Sequence, residues 1–314
     1  MHDFNREGPD HVTEKRETPI FGFLGVGAIG RPIAECILAT QPMLVCDADP
    51  SMREAFAGRS ETLSSAAELA DRADVIFACL PSLEAHRRAL LNPAKGIVAG
   101  KRCRGLVQVG TTGPDLAREL AAELGACGIA MVDAPVSGGV PRARTGTLTV
   151  IASGDEALYR ETEAAIRAFA SEIVWMGSEP GSAQTMKLIN NLLSAANLAI
   201  GCEALVLGSK IGLDPNRMLE VLNTGTGQNS ATLTKIPNHV VPRSFDYGGR
   251  LELVCKDLKE LIAEARGQSV PTPLADLVES IYRRAVDLSS KDEDMTTVIR
   301  HMERAAGIEV RAAD

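Results

Sequence analysis

Lys187, Asn191 and Ser194 stand four and then three residues apart in the segment Ala183–Ile211. That segment is otherwise largely apolar and reads as one long helix ended by Gly212. At this spacing the three polar side chains share one helical face. A polar stripe on an apolar helix faces a cleft or finds hydrogen-bond partners. An amine in such a place can exchange a proton, although a lysine near a helix end can also extend its head into water. Asn190 points about 100° away round the helix and reads as a packing residue.

A second group of residues suits phosphates. Gly25, Gly27 and Gly30, with Ala28 and Ile29 between them, form G-x-G-x-x-G between the apolar run Pro19–Leu24 and the helical spacing of Arg31–Thr40. The first glycine allows a tight turn, the second lets a pyrophosphate approach the backbone, and the third lets helix pack on strand. The helix N-terminus adds free amides and partial positive charge. Asp47 ends the next strand candidate, Met43–Cys46, twenty residues after Gly27. An acid there hydrogen-bonds ribose hydroxyls and repels a 2′-phosphate, so NAD is expected over NADP. The same aspartate would also serve as a turn residue or helix cap. Arg53, nearby, is expected in solvent on the following helix. Leu80 and Pro81 end another strand candidate and should line the cofactor crevice. Ser137-Gly138-Gly139 offers a hydroxyl and unhindered amides suited to a carboxylate, or a merely flexible turn.

These elements need a scaffold, and the chain supplies alternating strands and helices from Pro19 to Met176, then helices only. The alternation predicts a mostly parallel sheet with helices on both faces. Thr147–Ile151 and Ile173–Met176 should extend it at one edge. The expected division is a disordered tail over 1–18, a dinucleotide-binding domain over 19–179 and an all-helical domain over 180–314. Two domains agree with 314 residues, and 45% hydrophobic with 24% charged residues is ordinary for a globular chain. A net charge of −8 and 4% aromatic residues argue against nucleic acid as a partner. The longest apolar run, Leu192–Leu207, is interrupted by Ser194, Asn197 and Glu203, so no membrane span is expected. The seven cysteines lack C-x-x-C spacing and the histidines lack ligand spacing, so reduced buried thiols in a cytoplasmic protein, without a metal, are expected. No G-x-S-x-G supports a hydrolase.

Four motifs together resemble the β-hydroxyacid dehydrogenases, the group that includes 3-hydroxyisobutyrate dehydrogenase and tartronate semialdehyde reductase. They are Phe21–Gly30, with Ile29 where methionine is common; Asp133–Val140 followed by Gly146-Thr147-Leu148-Thr149; the G-x-x-x-x-x-K-x-x-N-N pattern of Gly181–Asn191; and Lys256-Asp257-Leu258. The resemblance runs from Phe21 to about Leu288. It implies a Rossmann-type α/β domain joined by a long helix to an all-α domain, with the active site in the cleft between them. It implies that Lys187 is the general acid/base of hydride exchange between nicotinamide and a small carboxylate-bearing β-hydroxy acid or its semialdehyde. It places Ser137, Gly138 and Gly139 on the substrate acid group, Asn191 on the reacting hydroxyl, and Thr111 and Lys256 near the nicotinamide, with Asp257 holding Lys256.

One departure carries an expectation of its own. Some relatives have a phenylalanine facing the substrate where this chain has Gly249. Extra room and a nearby Arg250 would then suit a larger or more polar acid, such as a polyhydroxy acid, unless the loop is simply rearranged. Two other functions fit the same fold: imine reduction, and a catalytically inactive NAD-binding module. Relatives of both kinds tend to lack the lysine. A decarboxylating 6-phosphogluconate-type activity fits less well, because the residues after Ser137-Gly138-Gly139 differ. The apolar helices suggest more burial than one subunit supplies, hence a homo-oligomer, and the resemblance implies a dimer or tetramer.

Overall fold

The computed structural model describes residues 19–290 and 292–311; the expected tail, Met1–Thr18, lies outside the described residues. The strands are β1 (Phe21–Leu24), β2 (Met43–Cys46), β3 (Thr62–Leu63), β4 (Val75–Ala78), β5 (Gly105–Gln108), β6 (Ala130–Asp133), β7 (Val136–Ser137), β8 (Leu148–Gly154) and β9 (Ala170–Trp175). Between them run the helices α1 (Gly30–Leu38), α2 (Pro50–Glu54), α3 (Ala66–Arg72), α4 (Leu83–His86), α5 (Pro114–Ala126), α6 (Gly139–Arg144) and α7 (Glu156–Arg167).

The sheet order is 3-2-1-4-5-6-8-7, with β9 paired to β8. The first six strands in that order run parallel. That is the doubly wound order, which places ligands beyond the carboxyl ends of the strands where the winding reverses. Register makes this edge level. Leu24 pairs with Cys46 on one side and Ala78 on the other, Ala78 with Gln108, and Gln108 with Asp133. The residues that follow, Gly25, Asp47, Cys79–Pro81, Val109–Thr111 and Ala134, therefore open onto one crevice. Strand residues such as Phe23, Val45, Phe77 and Val107 are fully buried, as expected where helices cover both faces. Phe23 stacks on Phe77 at 6.3 Å, and Phe169 meets the edge of Phe77 at 6.4 Å.

After β9 the chain is helical. α8 (Ser182–Lys210) spans 29 residues, about 44 Å, starting after Gly181 at φ 86°. A Cβ at Gly181 would lie 2.9 Å from the Pro114 carbonyl, so the helix begins hard against α5. α9 (Pro215–Thr224), a wide π-type helix (Ala231–Val240), α10 (Leu251–Gly267), α11 (Pro273–Leu288) and α12 (Ile299–Ala306) complete the lobe. Leu198, Cys202 and Leu205 of α8 form its core with Ile236, Leu258 and Tyr282. The Tyr282 hydroxyl donates to the Ala195 carbonyl at 3.1 Å. Among the described residues α8 is the one helix long and apolar enough to cross a membrane, but it packs as the central helix of this lobe.

Candidate active site

The glycine loop has the shape its residue types require. Gly25 sits at φ 92°, and a Cβ there would come within 2.4 Å of the Cys79 carbonyl. A Cβ at Gly30 would lie 2.1 Å from the Gly25 carbonyl, so α1 starts in contact with the turn. Gly27 has nothing within 4 Å of its Cβ position. That open side is the space a pyrophosphate would fill, beside the α1 amides. Ala28 is exposed and Ile29 half-buried next to it. Leu80 stands 3.0 Å from the Gly25 Cβ position and walls the crevice; Pro81, beyond it, is exposed. Asp47 accepts the Val26 amide at 2.8 Å and the Asp49 amide at 2.9 Å. It thus ties the glycine loop to the end of β2, and each carboxylate oxygen keeps a free lone pair. Arg53, expected in solvent, is not free there. It is half-buried and donates to the carbonyls of Asp47 at 2.6 Å and Ala48 at 3.2 Å, because α2 turns back over the strand end.

The start of α8 locks onto the loop after β5 through a residue the sequence reading did not single out. Gln184 is fully buried. Its Oε1 accepts the amides of Thr112 at 3.0 Å and Gly113 at 3.2 Å. Its Nε2 donates to the Gly110 carbonyl at 3.0 Å and to Asp133 Oδ1 at 2.7 Å. Burial pushes the Asp133 carboxyl up to about 7 despite that hydrogen bond. The Thr111 carbonyl accepts from Lys256 Nζ at 3.3 Å, so α10 closes the other side. Lys256 also lies 3.7 Å from Asp257 and 3.8 Å from Glu260. Burial raises the Glu260 carboxyl to about 7.

Lys187 lies one turn beyond this clamp, 8% exposed. Desolvation lowers its ammonium to about 8; Asp257 opposes the shift and Lys235 adds to it. Asn191, one turn on, donates to Asp257 Oδ2 at 2.7 Å. Burial raises the Asp257 carboxyl, against the pull of Lys256, Asn191 and Lys187. Asn190 is not a packing residue. Its amide reaches Ser137 Oγ at 3.4 Å and Asn191 Oδ1 at 3.4 Å, linking the long helix to the Ser137-Gly138-Gly139 turn across the lobe boundary. Gly138 at φ 134° and Gly139 at φ 69° carry the chain from β7 into α6, a path closed to most side chains.

The expectation at Gly249 is corrected. A Cβ there would lie 3.0 Å from Met295 Sδ, and Met295 is buried. The space an aromatic ring would take is filled from 46 residues away, so no extra room opens. Arg250 turns outward to Asp292 at 3.1 Å. The added polar residue that couples to Lys187 is instead Lys235, which the sequence reading missed. It is 3% exposed, and its Nζ donates to Ser194 Oγ at 2.5 Å. The one signal pointing to it was Ser194 on the lysine face of α8. Lys235 lies on the π-type helix, whose wide turn accommodates Pro237. No cluster that could hold a metal occurs among the described residues.

The sheet edge and glycine loop have the geometry of a dinucleotide site, and a buried amine on the helix that reaches the Ser137 turn has the chemistry for proton-coupled oxidation of an alcohol. Comparison with known proteins agrees. Residues 20–177 match the NAD binding domain of 6-phosphogluconate dehydrogenase. Residues 181–302 match the NAD-binding domain of NADP-dependent 3-hydroxyisobutyrate dehydrogenase. The chain is 32% identical to the mitochondrial 3-hydroxyisobutyrate dehydrogenase of Mus musculus over 91% of its own length and 87% of the relative's. It is 28% identical to 2-(hydroxymethyl)glutarate dehydrogenase of Eubacterium barkeri, over 92% and 96%. The solved 3-hydroxyisobutyrate dehydrogenase of Mycobacterium tuberculosis superposes with a TM-score of 0.81 at 26% identity, over 91% and 99% of the two chains. An imine reductase of Myxococcus stipitatus, at 17% identity and a TM-score of 0.62, shares the fold alone. The chain belongs to the β-hydroxyacid dehydrogenase family, the NAD(P)-dependent oxidoreductases of hydroxy acids.

Proposed function

We propose that this enzyme uses NAD to oxidise the alcohol of a small β-hydroxy acid, or NADH to reduce the matching semialdehyde, with Lys187 as the proton-transferring group. The observation that carries the reading is Lys187 itself: a desolvated amine near 8, one helical turn from an asparagine pair that reaches both Asp257 and Ser137.

When bound, the nicotinamide supplies hydride chemistry at the substrate carbon. The protein's part is to hold the acid and move the proton. Ser137 Oγ and the amides of Gly138 and Gly139 take the substrate carboxylate. Asn190, bonded to Ser137, sets that turn relative to the helix. Asn191, fixed by Asp257, presents its amide to the reacting oxygen. Neutral Lys187 accepts the hydroxyl proton during oxidation; its ammonium form returns a proton to the carbonyl oxygen during reduction. The closeness of its pKa to neutral pH favours both directions, and supports an active enzyme over an inactive binding module. Thr111 and Lys256 border the nicotinamide end.

Preference for NAD is supported by the Asp47 carboxylate at the ribose position, where a 2′-phosphate would meet negative charge. We place the enzyme in the cytoplasm on its seven free cysteines. A homo-oligomer is supported by an apolar stripe along α8: Ile189, Leu193, Ile200, Leu207 and Ile211 are 39–69% exposed and lie within about 40° of one another round the helix. An absorbance screen of small hydroxy acids with NAD and NADP tests the assignment. Turnover of at least one β-hydroxy acid, faster with NAD, is expected; turnover of none refutes it.

A further inference from the structure

The second lysine of the cleft has no counter-charge. Lys235 is buried at 3% exposure, and its partners are neutral: Ser194 Oγ at 2.5 Å and the Tyr247 ring at 5.3 Å. Among the described residues no carboxylate lies within ion-pair reach of it. The nearby acids are engaged elsewhere: Asp246 with His239 and Ser244, and Asp294 with the amides of Gly248 and Gly249. The charged group that couples to it is Lys187, which is positive too and sits against Asp257. Burial with no anion beside it lowers the Lys235 ammonium, and an anion brought against it would offset that desolvation cost.

Its position says what the charge is for. Ser194 follows Asn190 by one helical turn, about 6 Å along the axis, and Lys187 by two. Asn190 marks the Ser137 turn that takes the first carboxylate, so a short carbon chain from that carboxylate reaches Lys235. We infer that Lys235 is a specificity-determining residue for a second acidic group, and that the preferred substrates are β-hydroxy acids carrying a further carboxylate on the substituent that points away from the reacting carbon. This rests on the hydroxyacid reading above and narrows it. It also replaces the polyhydroxy acid expected from Gly249: the pocket holds a cation, not added space.

The test compares 2-(hydroxymethyl)glutarate, its neutral mono-amide at the distal carboxyl and 3-hydroxyisobutyrate, with the wild-type enzyme, Lys235→Met and Lys235→Arg. The wild type should favour the diacid over the amide by at least ~30-fold in kcat/KM, the range for losing one partner of a buried charge pair. Lys235→Met should bring that ratio to within about threefold, mainly through KM for the diacid, and Lys235→Arg should retain most of it. Equal use of diacid and amide by the wild type overturns the inference. So does a Lys235→Met enzyme that binds NADH normally but loses both activities by one common factor, which marks a structural lysine. Turnover of 3-hydroxyisobutyrate without the diacid overturns the inference and leaves the hydroxyacid reading standing; turnover of none of the three removes both.

Discussion

Replacing Gln184 by methionine keeps the side-chain volume and removes every polar contact of the residue. Four groups then lose their partner: the amides of Thr112 and Gly113, the Gly110 carbonyl and Asp133 Oδ1. Gln184, Thr112 and Asp133 are buried, and the Gly110 carbonyl is partly so. An unpaired buried group costs about 1–3 kcal/mol, and partial relaxation of the loop brings the sum to about 3–6 kcal/mol. For 314 residues the unfolding entropy is about 0.66 kcal/mol/K, so the expected fall in Tm is about 5–9 °C. The same loop carries Thr111, whose carbonyl receives Lys256, so kcat/KM should fall as well, by about tenfold or more. Calorimetry and steady-state kinetics on one preparation measure both. A Tm within about 1.5 °C of the wild type would refute the claim that this side chain couples the long helix to the nicotinamide loop.

Gly27→Ala should fold with an unchanged Tm, because its Cβ meets nothing within 4 Å, yet weaken NADH binding about tenfold by filling the phosphate space; fluorescence titration checks this. Gly30→Ala, whose Cβ would lie 2.1 Å from the Gly25 carbonyl, should instead destabilise the fold by about 1–3 kcal/mol. Asp133→Asn should stabilise the protein at pH 8. The native carboxyl titrates at about 7 instead of 3.8, so the native state holds the extra proton between those values and wild-type stability falls as pH rises through that window. The variant lacks this slope, gains up to about 4 kcal/mol at pH 8, and converges with the wild type near pH 4; thermal melts across pH measure it.

Residue type alone identified the glycine loop, because only glycine meets the close approaches at Gly25 and Gly30. The Lys187 stripe was legible from helical spacing, and the parallel sheet from alternating runs. What stayed hidden depends on contacts between distant segments. Asn190 looked like packing because its partner, Ser137, lies 53 residues away. Gly249 looked like vacant space because Met295 arrives from a later segment. Gln184 is one of several polar residues between Ser182 and Lys187, and its partners come from two different strand ends. Lys235 has its partner, Ser194, 41 residues away, and β7 and α6 are too short to show periodicity.

The central claim is that a buried amine moves the proton, and it is tested most directly by the turnover of Lys187→Ala measured beside its NADH affinity. Loss of about 10²–10⁴ in kcat is expected, with NADH bound as tightly as by the wild type. The wild-type oxidation rate should rise with pH through a midpoint near 8, where the amine loses its proton. Turnover by Lys187→Ala within about threefold of the wild type would contradict the account.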